Sequence, residues 1–210
     1  MEDVLDVYRR PYDPLRPQVC MDEISMQMLS HPPGREPLSM KPGHPAKEDY
    51  EYVREGTANI FLGFEPLQGR RHARVTERRT KQDWAYWVKE LVEVHYPGAE
   101  CVVLVMDNLN THSPASLYEA FEPAEAKRIA DKLEIHYTPK HGSWLNMAEI
   151  ELAVLREQCL DRRLPDLCTV AYEVAAWEWD RNERHSTVDW RFTTDDARIK
   201  LKHLYPVIDD

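Results

Sequence analysis

The sequence has no apolar run long enough to cross a membrane. Its first residues, Met1-Glu2-Asp3-Val4-Leu5-Asp6, lack the basic and apolar pattern of a signal peptide. Neither a membrane partner nor export is expected, and a cytoplasmic location is the default. Cysteine is scarce. The four, Cys20, Cys101, Cys159 and Cys168, form no CxxC pair and none stands at a zinc-ligand spacing from His. That pattern argues against a thiolate metal site and for reduced, mostly buried thiols. There is no internal repeat and no low-complexity tract. Positive charge is also short, with 27 Lys and Arg against 37 Asp and Glu and a net charge of −10. A balance of that sign is awkward for a nucleic-acid binder.

What is present describes a packed domain. The chain has 210 residues, of which 42% are hydrophobic, and six are Trp. That is enough for one sizeable core, with or without an appendage. The basic residues are clustered: Arg70, Arg71, Arg74, Arg78, Arg79 and Lys81 stand together with Glu77 as the lone acid. Arg198, Lys200 and Lys202 form a second group. Such runs are commonly solvated faces; contact with an anionic partner is the alternative.

The organising stretch is Cys101-Val102-Val103-Leu104-Val105-Met106-Asp107-Asn108. Six apolar residues ending in an acid fit a strand buried on both faces. In open α/β sheets, chemistry gathers at the carboxyl ends of such strands. A shorter copy of the theme, Gln18-Val19-Cys20-Met21-Asp22-Glu23, comes earlier. Residues 1–17 carry Pro11, Pro14 and Pro17 and read as a lead-in or linker stump. From 31 to 58 the five prolines before Ala46 predict a long surface loop inserted in the domain. Asn59–Phe64 and Arg71–Thr76 read as a hairpin. Thr80 or Asp83 opens a helix whose Trp84, Trp87, Val88, Leu91, Val92 and His95 share one face, closed by Pro97-Gly98. Two short helices within 115–133 and a strand over 134–138 follow. Asn146 is a predicted N-cap for a helix that starts near Met147 and carries Glu149 in its first turn. Helices over about 167–184 and 194–203 complete a C-terminal helical extension, 166–210, of the domain that begins at residue 18. The expected fold is α/β, or α+β, with a mixed sheet.

Three acids stand out by position: Asp22, Asp107 and Glu149. If the first and central strands are neighbours, their ends bring Asp22 and Asp107 together, and the later helix lays Glu149 over them. Clustered carboxylates repel unless a cation shares them, and hard oxygen ligands suit Mg²⁺ or Mn²⁺. Two such ions about 3.5–4 Å apart activate water and stabilise a leaving oxygen at phosphorus. Each acid has a plainer explanation as well. Asp107 fits a turn, Asp22 a solvated strand end, and Glu149 a capping box with Asn146. Glu151 is a rival third acid, but residues two apart on a helix point about 200° from each other. Glu23 likewise points away from Asp22 on a strand.

Taken together, Val19–Glu23, Val103–His112, Tyr137–Asn146, Ala148-Glu149 and Trp190–Lys200 make the chain similar to the catalytic domain of a DDE transposase. The branch it resembles is the bacterial insertion-sequence branch of the Tc/mariner superfamily. The specific signal is an Asp-Asn-x-x-x-His box, Asp107 to His112, followed by a Leu-Asn-x-x-Glu box, Leu145 to Glu149. The resemblance implies a ribonuclease H-like mixed sheet flanked by helices. It implies a triad of Asp22, Asp107 and Glu149 holding two Mg²⁺ or Mn²⁺ ions, and it favours Glu149 over Glu151. The activity it implies is DNA cleavage at transposon ends, then joining of the freed 3′-hydroxyl to target DNA, by a homodimer. Asn108 and His112 fit supporting or phosphate-contacting roles, Lys140 and His141 backbone contacts, and Arg70, Arg71, Arg74, Arg78 and Arg79 a DNA face. Two departures stand out. Nothing ahead of Asp22 is long enough for the family's helix-turn-helix modules, which suggests a split product or a separate recognition chain. The interval from Asp107 to Glu149 is longer than in eukaryotic mariner relatives, and the helices of 115–133 occupy it. A hydrolytic nuclease, and a catalytically idle fragment that binds DNA or a full-length transposase and regulates it, are the competing expectations.

Overall fold

The computed structural model describes residues 1–140 and 142–205. Its centre is a five-stranded mixed sheet in the order β3-β2-β1-β4-β5. The strands are β1 (Gln18–Ser30), β2 (Val53–Glu65), β3 (Arg70–Thr76), β4 (Val102–Met106) and β5 (Leu133–Tyr137). β1, β2 and β3 pair antiparallel; β4 joins β1, and β5 joins β4, in parallel. Every residue of β4 is buried, as its unbroken apolar run requires of a strand covered on both faces. Helices form the covering layers: α1 (Glu2–Tyr8), α2 (Lys81–Glu90), α3 (Pro114–Ala120), α4 (Pro123–Ala130), α5 (Ala148–Leu155), α6 (Leu167–Glu183) and α7 (Thr194–Lys200).

Alternation along the strands sorts side chains between the two layers. Val19, Met21, Phe61, Leu104 and Met106 meet Trp84, Trp87, Val88 and Leu91 of α2, with α3 and α4 beyond. Cys20, Phe64, Val103 and Val105 face α1, α7 and the start of α5. Further along the same face, Ile60 and Leu62 pack on Leu152 and Leu155 of α5 and on Val170, Val174 and Trp177 of α6. Thr80 caps α2 in a reciprocal box with Asp83, so both expected start signals are used at once. Cys20 and Cys159 are buried and Cys168 is exposed.

Several expectations need correction. Residues 1–17 are not simply a lead-in: α1 buries Val4, Leu5, Val7 and Tyr8 under the sheet. The first strand runs on past Asp22 to Ser30, because β2 continues to pair with it after β4 has parted. The predicted loop therefore ends before Val53 instead of at 58, and it carries two isolated bridges of its own, Leu38 with Lys47 and Lys41 with His44. Met147, not Asn146, is the N-cap residue of α5. The outer edge of β3 is closed by α6: Asn182 Oδ1 accepts the Arg71 N–H at 2.7 Å and Glu178 accepts that of Ala73 at 3.1 Å. Covering an edge in this way blocks strand addition there.

Candidate active site

The register explains how two strands deliver two acids to one level. Cys20 pairs with Val105, and Asp22 and Asp107 each lie two residues beyond that pair. Adjacent strands lie about 4.8 Å apart, so the two acids stand side by side where β1 and β4 separate. α5 crosses the same end with Glu149 in its first turn, where the helix dipole favours a carboxylate. A cleft of about 580 Å³ is lined by Asp22, Glu149, Ile24, Leu152 and Arg156. A second, of about 460 Å³, is lined by Asp107, Asn108, Leu109, Thr138, Lys140 and Ser143.

Asp22 records the convergence. Burial pushes its carboxyl up, and the charges of Asp107, Glu23 and Glu149 add to the effect against one backbone N–H from Glu23, giving a value of about 7. Asn146 braces it: Nδ2 donates to the Met21 carbonyl at 2.8 Å and stands 3.4 Å from Asp22 Oδ2, while Oδ1 accepts the Ala148 N–H at 3.2 Å. The expected capping box between Asn146 and Glu149 therefore does not form, since Asn146 Oδ1 takes the Ala148 N–H and Nδ2 is committed to β1.

His112 lies behind Asp107. Its Nδ1 is 2.6 Å from Asp107 Oδ1, and its Nε2 is 2.9 Å from Glu23 Oε2, an ion-pair contact off the line of a hydrogen bond. Burial alone would lower the imidazole, but the Asp107 hydrogen bond and the close contact and charges of the two carboxylates outweigh it and raise it to about 9. His112 is 1% exposed, so the phosphate-contact alternative for this residue fails: both ring nitrogens already face carboxylates. Glu23 is the participant that sequence reasoning passed over. Its position opposite Asp22 was readable, but its partner across the layer was not.

The basic run is divided by register. Arg70 pairs with Glu65 and Arg71 with Phe64, at the end of the sheet away from Asp22. Arg71 is wholly buried, 2.8 Å from Glu151, and Arg181 holds the same carboxylate at 2.8 Å. It cannot reach DNA, which corrects that expectation. The charge that Glu151 needs when buried is supplied from β3 and α6, and this pins α5 with Glu149 turned to the cleft. Arg74 pairs with Glu90. Arg78 and Arg79 are exposed, near the acid end, with Arg79 3.8 Å from Glu23. Asn108 and Lys140 are exposed at the rim of the cleft beside Asp107, and His141 lies outside the described residues.

These three acids fit hard divalent cations by their chemistry, and the raised Asp22 reflects burial first and the nearby carboxylate charges second. Among the described residues, no three His, Cys, Asp or Glu side chains are gathered tightly enough to hold an ion as they stand. A cation would have to draw them in.

Residues 17–170 match the family of DDE superfamily endonucleases. The chain belongs to this family. Its fold is similar to the crystal structure of the Mos1 strand transfer complex, at 14% identity and a TM-score of 0.54, over 87% of this chain and 55% of that one. It thus spans about half the length of that relative. Fainter likenesses are found to a simian T-cell lymphotropic virus intasome bound to PP2A regulatory subunit B56 gamma (11%, TM-score 0.46, 76% of this chain and 48% of that one) and to the catalytic core of BIV integrase (14%, TM-score 0.40, 70% and 88%). No curated protein sequence matches. The family and the sheet together make this a ribonuclease H-like fold. No helix among the described residues is long and apolar enough to span a membrane.

Proposed function

We propose that this DDE endonuclease chain is the catalytic domain of a transposase, cutting DNA at transposon ends and joining the freed 3′-hydroxyl to target DNA. The observation that carries the reading is that β1, β4 and α5 bring Asp22, Asp107 and Glu149 to one end of the sheet with none of the three held by an Arg or Lys among the described residues. Mg²⁺ or Mn²⁺ ions held by these three would supply an activated water and stabilisation of the leaving oxygen. The chain's own residues do the rest. Asn146 fixes Asp22, His112 fixes Asp107, and the buried pairs of Glu151 hold α5. Lys140 and Asn108 line the cleft beside Asp107 and suit a scissile phosphate, with Arg78 and Arg79 flanking it on the DNA backbone. In the first step water displaces the 3′-oxygen from phosphorus; in the second, that 3′-hydroxyl displaces a target 3′-oxygen. DNA and a second copy of the chain are the partners this scheme calls for.

One observation favours a second reading, a regulatory fragment that binds DNA without cutting it: the acids are not drawn together. Incubation with supercoiled plasmid and short transposon-end duplexes in Mn²⁺ separates the two. Nicking and joined products that disappear in Asp107→Ala support the transposase. Metal binding and DNA binding with no cut strand, under every DNA supplied, support the fragment.

A further inference from the structure

We propose that Glu23 is a positioning residue for Asp107, acting through His112. The inference rests on Asp107 being a metal-holding carboxylate, as argued above. It adds a chain of three groups running from the core to the rim. Glu23 Oε2 stands 2.9 Å from His112 Nε2, and His112 Nδ1 2.6 Å from Asp107 Oδ1. Side-chain exposure rises along it from 3% and 1% to 33%. Trp84 stacks on the imidazole with centroids 6.0 Å apart, and the His112 backbone is anchored on both sides: its amide N–H donates to the Leu109 carbonyl at 2.9 Å, and its carbonyl accepts the Tyr137 hydroxyl at 3.0 Å. With Oδ1 engaged, the Asp107 carboxylate is held against rotation.

A buried carboxylate is costly unless it is paired, and Glu23 has His112 at one oxygen and, at 3.8 Å, Arg79 at the other. The ring would stay in place without it, through Trp84 and its two backbone bonds. What Glu23 adds is an anion behind the imidazole. A partner bonded directly to a metal-holding group orients it, and its loss typically costs about 10–100-fold in affinity; His112 is that partner here, and Glu23 stands one group further out. The strand β1 then serves the site from both faces. Asp22 enters the cleft directly, and Glu23 supports the acid delivered by β4.

The test is Mn²⁺ calorimetry on the 210-residue chain, with Asp107→Ala, Glu23→Gln, His112→Gln and the Glu23→Gln/His112→Gln double variant, alongside thermal unfolding of each. We expect His112→Gln to weaken Mn²⁺ binding about 10–100-fold, and Glu23→Gln to weaken it by less, about 3–10-fold, without lowering the unfolding temperature. We expect the double variant to bind no worse than His112→Gln alone, because Glu23 acts only through the ring. Glu23→Asp, which keeps the charge, should recover part of the affinity. Wild-type affinity in Glu23→Gln, or losses that simply add in the double variant, would overturn the proposal while Asp107→Ala still reports on the metal site. No binding by the wild type at millimolar Mn²⁺ would overturn the metal-site reading and the proposal with it. Should Glu23→Gln not fold, the ring ¹⁵N signals of His112 in the wild type decide. Mg²⁺ should move both Nδ1 and Nε2, and movement at Nδ1 alone would overturn the relay.

Discussion

Glu149 and Glu151 lie two residues apart on one helix and live in opposite electrostatic worlds. Glu151 is buried, and although burial favours its neutral form, hydrogen bonds from Arg71 and Arg181 outweigh that and hold its carboxyl below the usual range. Glu149 opens onto the cleft shared with Asp22, whose carboxyl is driven the other way, up to about 7. Two arginines silence Glu151 where it is buried for structure, whereas among the described residues Asp22, Asp107 and Glu149 have no Arg or Lys ion-pair partner, although Arg156 lines the same cleft. The difference teaches what the acid end is for. Repulsion left standing in a folded protein is tolerated where an outside cation is meant to relieve it.

The sharpest way to break the contrast is to take the neutralising charge from the structural side. Arg71→Ala leaves Glu151 buried with Arg181 as its remaining partner, and it strips Arg71's contact with the Phe64 ring. Removing one partner of a buried pair costs roughly 3–5 kcal/mol, and the retained Arg181 places this one toward the lower end. Urea unfolding should register the loss through its midpoint. DNA cleavage should fall at least as far as folded protein is lost, because the same pair holds α5 and Glu149 in place. A variant of normal stability with lost DNA affinity would return Arg71 to the DNA face.

The opposite effect is expected at the acid end. Asp22 is an acid whose folded value lies above its ordinary 3.8, so the folded state holds the proton more tightly than the unfolded chain. Stability from this group is therefore full below about pH 4 and declines as pH rises toward 7. Asp22→Asn should leave unfolding at pH 4 nearly unchanged and stabilise the metal-free protein at pH 8 by on the order of 2 kcal/mol, allowing for partial exposure. Millimolar Mg²⁺ should reverse the ranking, since binding to the folded wild type stabilises it by RT ln(1 + [L]/Kd) and the Asn variant gains less. A destabilised Asp22→Asn at pH 8 would mean that Asp22 is a structural acid.

Much of this contrast was open to inspection in the sequence, and the reasons it stops are physical. The apolar run before Asp107 could only be a covered strand, and Asp22 at the end of a second such run implied the pairing that the register bears out. The helix face of α2 was readable because its period is local. The far half of β1 carried a signal that went unused: Ile24, Met26 and Met28 alternate with polar residues, and all three pack with the α5–α6 layer. α1 was hidden by the prolines after it, although Val4, Leu5, Val7 and Tyr8 have helical spacing. Arg71 and Glu23 were out of reach for a different reason. A buried charge is decided by partners distant in sequence, Glu151 and Arg181 for one and His112 for the other, and no local pattern announces them.

The basic run gives the finest test of the same contrast, because register alone divides it. Arg70 sits beside the β2–β3 turn, at the end away from Asp22, whereas Arg78 and Arg79 follow Thr76, which pairs with Asn59 near Ser25 at the acid end. If DNA approaches the acid end, Arg78→Ala should weaken binding a few-fold at about 0.15 M salt and flatten the plot of log affinity against log salt by about 0.9, one phosphate contact. Arg79 lies 3.8 Å from Glu23 and is already partly neutralised, so its removal should flatten the slope less. Arg70→Ala should change neither affinity nor slope. Fluorescence anisotropy with a labelled duplex over a salt series reads all three. A slope change at Arg70 as large as that at Arg78 would mean that the duplex lies along the whole of β3, and that the acid end is not its point of contact.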